Sequence, residues 1–448
     1  MGYSSMGERK PFERASRINH SHIIQNDYVQ SFLNNCEIPS YDLENIEYPV
    51  GYEVKLGEVN KIKNIIAIDG GYSETYINKG FPSTSLAFFD FGVLLFENED
   101  LDNIDKSIMI NPEDLKKLKE INKIPFVIPS KNILMKDCYN FTHGVRKTIY
   151  DFFASSHSSA VKNETLIDVL GWLISEKWTR DDNPIKLEFC PYEDCECKEI
   201  VFQPGQSKIN CSECGREVYL IDYFRFHEII NEPNGASGIF GYLTSLIEQA
   251  LMVQIIKYFY ENNVETLANT LFIKDGPLAF FGQTFRLHVP MRKFITYLFN
   301  LRAPKENLIN IVGIEKSGPF VEHAFYIQDR LEDNHFYILN DNYIRKYILP
   351  QNAKDEYGHN TYYGWKVIYK TTASDVLVIT IPVNQYSGNP NRDDFANIDR
   401  VLGVIAKMRC NMYENSIVPL ALINKLVSIS EYPSSNILER FIKNSVKS

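Results

Sequence analysis

Short apolar runs, each stopped by an acidic residue and glycine, recur along the chain and mark strands of a buried sheet. Ile65–Ile68 runs into Asp69, Gly70 and Gly71 in NIIAIDGGY. Far downstream, TLFIKDGPL repeats the phrase with Asp275 and Gly276, and NLINIVGIEKSG carries Glu315 and Lys316 to the same kind of edge. TSLAFFDFGVLLF, residues 84–96, follows Gly70-Gly71. It reads as the antiparallel partner of the first strand across a turn at the glycines. A helical rhythm alternates with these runs. SHIIQNDYVQSFLNNCEI predicts an amphipathic helix, Asn111-Pro112-Glu113-Asp114 a helix start, and ETLIDVLGWLISEKW a further helix. Residues 239–262 are apolar nearly all round, so this helix is expected to be buried. Its polar patch is narrow: Thr244, Ser245, Glu248 and Gln249. The stretch from 336 to 382 is aromatic and β-rich, and the chain from Arg392 onward reads as helical.

These rhythms predict an α/β protein with a mixed sheet. At 448 residues the chain is long enough for two or three domains. The reading divides it into a helical segment at 1–60, a discontinuous core at 61–96 and 236–448, and an insertion at 97–235. With 27 Tyr and 28 Phe, long disordered stretches are not expected. No apolar run reaches the roughly 18–20 uncharged residues of a membrane span, and the polar N-terminus has no secretory pattern, so a cytoplasmic protein without membrane contact is expected. A formal net charge of −10 argues against a protein that coats nucleic acid electrostatically. It leaves room for a nuclease, whose own metal site is acidic.

The candidate chemistry falls in two groups. Asp69 and Asp275 each end an apolar strand, where two carboxylates can converge on a divalent cation. Asp-Gly after a strand is equally a common turn former. Glu248 sits on the buried helix, where an unpaired carboxylate costs several kcal/mol and so requires a cation: Lys, Arg or a metal. Asp90 and Glu74 lie nearby but read as loop or edge residues. The second group is cysteine. Of eight in the chain, five fall within residues 190–214: Cys190, Cys195, Cys197, Cys211 and Cys214. Cys211-x2-Cys214-Gly215 is a thiolate knuckle, and Cys190 with Cys195 or Cys197 supplies the other half. Four thiolates suit a structural tetrahedral Zn²⁺ in a zinc-ribbon-like subdomain at about 186–222. KEIVF and REVYL are expected to be the strands of its hairpin.

The stretches IAIDGGY, LTSLIEQALMV, LFIKDGPLAFFGQ, NIVGIEKSGPFVEHA and HNTYYGWKVIY, in this order, resemble the NurA family of nucleases over most of residues 60–430. The resemblance implies an RNase H-like core, a homodimer, and Mn²⁺- or Mg²⁺-dependent cleavage of DNA as a 5′-end exonuclease and single-strand endonuclease. It also implies a hexameric HerA-type translocase ATPase as partner, acting in DNA end resection and repair or in phage defence. By that resemblance Asp69, Glu248 and Asp275 are the metal carboxylates and Lys316 contacts the scissile phosphate. The family's C-terminal Tyr and His are not reproduced: Ser416 stands near the first position and Asn424 near the second, with His323 as a substitute. Two rivals accompany this reading: a non-catalytic adaptor for DNA or an ATPase, and an RNase H-like enzyme acting on RNA or a hybrid.

Overall fold

The computed structural model of the protein describes residues 22–36, 47–55, 61–78, 80–99, 120–156, 164–181, 183–301, 308–349, 354–408, 410, 416–429 and 436–446. The helix start expected at Asn111 lies outside them. The chain forms two units, 1–48 and 49–448. The first contains the helix Asp27–Asn34, whose N-cap Asn26 accepts from the amides of Tyr28 and Val29. The second contains everything else. The N-terminal boundary expected at residue 60 therefore moves to 48, because β1 (Gly51–Glu53) pairs with β11 (His335–Ile338) and belongs to the sheet.

The remaining long strands are β2 (Asn64–Asn78), β3 (Thr84–Glu97), β4 (Glu120–Lys131), β9 (Thr270–Asp275), β10 (Asn310–Glu315), β12 (Trp365–Lys370) and β13 (Val376–Ile381). They build one nine-stranded mixed sheet in the order β1-β11-β12-β13-β10-β9-β2-β3-β4. Within it β2, β3 and β4 form an antiparallel meander, while β9 runs parallel to both β2 and β10. Three antiparallel strands whose first is continued by two parallel ones give the RNase H-like arrangement. Asp69 and Asp275 thus stand together where the parallel pairing of β2 and β9 ends.

Two sequence expectations change here. Gly70 and Gly71 make no turn: β2 continues through them to Asn78 in unbroken register with β3, from Asn64↔Glu97 to Tyr76↔Ser85. What ends at Ile68↔Lys274 is the pairing with β9. Second, the stretch 97–235, expected as an insertion, supplies part of the main sheet and its core. β4 is the edge strand of the main sheet, and the helices Phe141–Phe153 and Leu166–Ile174 share a hydrophobic core with the helix Phe240–Asn262.

That last helix is long and apolar enough to cross a membrane by length and composition, but 72% of its most apolar window is buried in the protein. It packs on one face of the sheet, against β2, and the helix Val418–Val427 packs against β2, β3 and β9. Strand alternation assigns the two helices to opposite faces. A Cβ at Gly92, opposite Asp69, would meet Val427 and Ile423, whereas one at Gly70 would meet Phe91 and Glu248.

The cysteine-rich segment is two short hairpins. β5 (Ile185–Leu187) pairs with β6 (Ile200–Phe202), and β7 (Lys208–Asn210) with β8 (Glu217–Tyr219). KEIVF and REVYL therefore pair with their own neighbours, not with each other. A buried ion pair ties this segment to the helix Phe141–Phe153. Arg146 Nε and Nη2 each donate to the Asp222 carboxylate at 2.7 Å, and both side chains are 2% exposed. The DNYIRKY stretch, read as β-rich, is the helix Asp341–Tyr347, capped by Asn340.

Candidate active site and cysteine cluster

Parallel pairing places Ile68 beside Lys274 and Asp275 beside Ile314. One step beyond Ile68, Asp69 stands next to Asp275 on the same face. Lys316, two residues past Ile314, returns to that face. Its Nζ lies 2.5 Å from Asp275 Oδ2, and Asn424 Nδ2 of the helix Val418–Val427 donates to the same oxygen at 3.3 Å. The residue at the position the resemblance gives to a histidine therefore does reach the site, as an amide.

Glu248 comes from the opposite face. Gly70 is the opening that admits it: with no side chain there, Glu248 Oε1 accepts from the Gly70 amide at 3.0 Å. The same N–H is shared with Asp69 Oδ1 at 2.9 Å. A Cβ at Gly70 would lie 2.4 Å from the Phe91 ring, so the position admits no larger residue without repacking. Lys274 Nζ lies 3.6 Å from Glu248 Oε2 and donates to the Asp275 carbonyl oxygen at 2.7 Å. The sequence reading missed Lys274, because a lysine next to the last residue of an apolar strand reads as a solvated end.

Asp69 and Glu248 are buried, while Asp275 and Lys316 are partly exposed and Asn424 is exposed. The site has an enclosed floor and an open rim. Asp69 Oδ2 is buried without a hydrogen-bond partner. Burial, then the negative charge of Asp275, raises the Asp69 carboxyl to about 7 against the pull of Lys316, the Gly70 amide and Lys274. Burial raises Glu248 to about 8, with Lys274 opposing and Asp69 and Asp275 adding. An orphaned buried carboxylate oxygen beside two further carboxylates is a donor set suited to a hard divalent cation. Not all the carboxylates are gathered, however. Among the described residues, the only set of three or more Cys, His, Asp or Glu donor atoms within 4.8 Å of one another is made of cysteines.

Other expected residues lie apart. Glu315 turns to the other face and pairs with the buried Lys366. His323 shares a hydrogen bond with Tyr343 at 2.8 Å, and burial alone depresses it to about 4. Its partner lies on the helix Asp341–Tyr347, so the geometry does not join it to the carboxylate cluster. Glu74 accepts from Ser85 and Ser130, each at 2.6 Å, and Asp90 faces Lys123 at 3.6 Å. Ser416 is buried with an unpartnered hydroxyl.

The cysteine cluster consists of Cys190, Cys195, Cys211 and Cys214. The Sγ–Sγ distances are 3.8 Å for Cys190–Cys214 and 3.7 Å for Cys195–Cys211. A tetrahedron of ligands at about 2.3 Å from a metal has edges of about 3.8 Å, and a disulfide would need about 2.05 Å. Gly215, with φ +69°, makes the turn under the second knuckle, and its amide donates to the Cys211 carbonyl at 2.9 Å. Cys197 is excluded: its thiol points to the Glu199 carbonyl and its own carbonyl accepts from the Cys190 amide.

No protein-family model matches the sequence, and no curated protein matches it. Among solved structures, one described as the NurA nuclease from Sulfolobus solfataricus aligns over 97% of this chain and 98% of its own, at 10% identity and a TM-score of 0.34. Another, described as NurA, covers 87% and 91% at 12% identity and a TM-score of 0.24.

Two predictions follow from these geometries. Asp69 and Glu248 hold protons more tightly folded than unfolded, where carboxyls titrate near 4. Their contribution to stability is complete below about pH 4 and is lost as pH rises through about 7 and 8. Without added divalent cations, Asp69→Asn and Glu248→Gln should raise the thermal midpoint at pH 8 and leave it unchanged near pH 4; midpoints that track wild type at every pH would contradict this. Elemental analysis should find about one zinc per chain in wild type and Cys197→Ser, and none in Cys195→Ser.

Proposed function

We propose that this protein is a divalent-metal-dependent nuclease that hydrolyses phosphodiester bonds in DNA. The observation that carries the reading is the buried, unpartnered Asp69 Oδ2 with Asp275 beside it on the next parallel strand and Glu248 admitted through Gly70. Asp69, Asp275 and Glu248 would hold Mn²⁺ or Mg²⁺, and Cys190, Cys195, Cys211 and Cys214 a structural Zn²⁺. A bound divalent cation supplies Lewis-acid polarisation of phosphate and lowers the pKa of a coordinated water.

The chain's own residues provide the rest. Lys316 and Asn424 stand at the open rim, where an incoming phosphate meets them first. Lys316 can exchange its contact with Asp275 for a phosphate oxygen and stabilise charge that develops there. The Gly70 amide fixes two carboxylates with one donor, and the apolar surroundings of Asp69 and Glu248 keep bulk water away.

DNA as substrate, 5′-end exonuclease and single-strand endonuclease activity, a homodimer, a HerA-type ATPase as partner and cytoplasmic action in end resection or phage defence are proposed on the motif resemblance. A second reading, a non-catalytic adaptor for DNA or an ATPase, is favoured by one observation: Lys274 and Lys316 already neutralise two of the three carboxylates.

End-labelled single- and double-stranded DNA, RNA and hybrid substrates, incubated with Mn²⁺, Mg²⁺ or EDTA and with or without a HerA-type ATPase and ATP, test the proposal. Metal-dependent DNA cleavage is expected, reduced roughly 10²–10³-fold in a folded Asp275→Ala variant. Undiminished cleavage by that variant overturns the site assignment, and binding without cleavage under every condition supports the adaptor.

A further inference from the structure

Oxygen by oxygen, most of the carboxylate cluster is already occupied by the chain itself. Asp69 Oδ1 and Glu248 Oε1 share the Gly70 amide, and Asp275 Oδ2 has Lys316 and Asn424. Glu248 Oε2 faces Lys274. Lys274 differs from Lys316 in its setting. Its side chain is 8% exposed against 26% for Lys316, so it cannot swing out to meet substrate. Its ammonium lies between a main-chain carbonyl oxygen at 2.7 Å and a carboxylate oxygen at 3.6 Å. Carbonyl and carboxylate oxygens are the donors a hard divalent ion takes. The strand register holds the ammonium there, since Lys274 is locked beside Ile68 on the face of the long helix.

We propose that Lys274 is a positioning residue that acts as a built-in cation, filling the place of a second divalent ion and limiting the carboxylate site to one. Hydrolytic sites that use two ions hold them about 3.5–4 Å apart between shared carboxylates. With all three carboxylates ionised, as cation binding requires, the two ammonium groups leave a net charge of −1 and one buried oxygen without a partner, Asp69 Oδ2. One divalent ion takes that oxygen and already carries more positive charge than the cluster has left to offset. A second would have to displace Lys274 into an apolar interior, where an unpaired ammonium is costly.

This inference rests on the metal-dependent reading of the site, and its test separates the two. The full-length, zinc-loaded chain is titrated with Mn²⁺, and bound ion is counted by electron paramagnetic resonance and calorimetry. Wild type should bind one Mn²⁺ per chain at a site lost in Asp69→Asn. Lys274→Met should bind two, a twofold rise in bound ion, while Lys274→Arg stays at one. Lys274→Gln repeats the comparison if the methionine variant is unstable, with zinc content as the control for folding. One ion in both wild type and the neutral variants, or two in wild type, overturns the role of Lys274 while leaving the metal site in place. No ion sensitive to Asp69→Asn overturns the metal-dependent reading and this inference with it.

Discussion

The register of three parallel strands determines the candidate site. β2, β9 and β10 run side by side, and β9 stops pairing with β2 at Ile68↔Lys274 while β2 runs on with β3. Beyond that point β2 keeps one neighbour and loses the other. The backbone amide of Gly70 is free to point into the gap, and it becomes the common donor for Asp69 and Glu248. A one-residue slip of β9 against β2 would turn Asp275 to the opposite face and bring Lys274 to the face of Asp69. Packing enforces the register: Ile66, Ile68 and Phe272 are buried against the long apolar helix, so a slip would expose them.

The burial that makes the site rigid also makes it electrostatically unsatisfied. Asp69 and Glu248 sit on an enclosed floor whose cost is only partly offset by Gly70 and Lys274, and both resist ionisation. Carboxylates held in this state bind cations with release of protons, which couples occupancy to pH. The cysteine cluster is a separate device. It ties two small hairpins whose strands are three residues long, and the Arg146–Asp222 pair anchors them to a helix of the main core. No ligand position is left open by four thiolates, which suits a structural ion.

Much of this was legible in the sequence, for physical reasons specific to particular residues. Apolar runs ending in Asp-Gly identified Asp69 and Asp275 because a buried strand leaves few places for a carboxylate. Glu248 stood out because the helix around it has almost no other polar face. The turn at Gly70-Gly71 was misread: glycine there serves close approach of Glu248, and local sequence does not distinguish that from a bend. β4 was hidden because Pro125 and Pro129 argue against a strand, yet an edge strand tolerates them. Cys195 could not be told from Cys197 by spacing, since the choice depends on which thiol turns inward. Lys274 was invisible because its setting is made by residues outside its own strand, Glu248 and Ile68.

The carboxylates gathered where β2 and β9 part are proposed to form a divalent-cation site. Anomalous diffraction from crystals soaked in Mn²⁺, recorded where manganese and zinc are distinguished, tests it most directly. Manganese density is expected within bonding distance of Asp69 and Asp275, with zinc density confined to the four-cysteine cluster as an internal control. Zinc density at the cysteines with no manganese against Asp69 would contradict it.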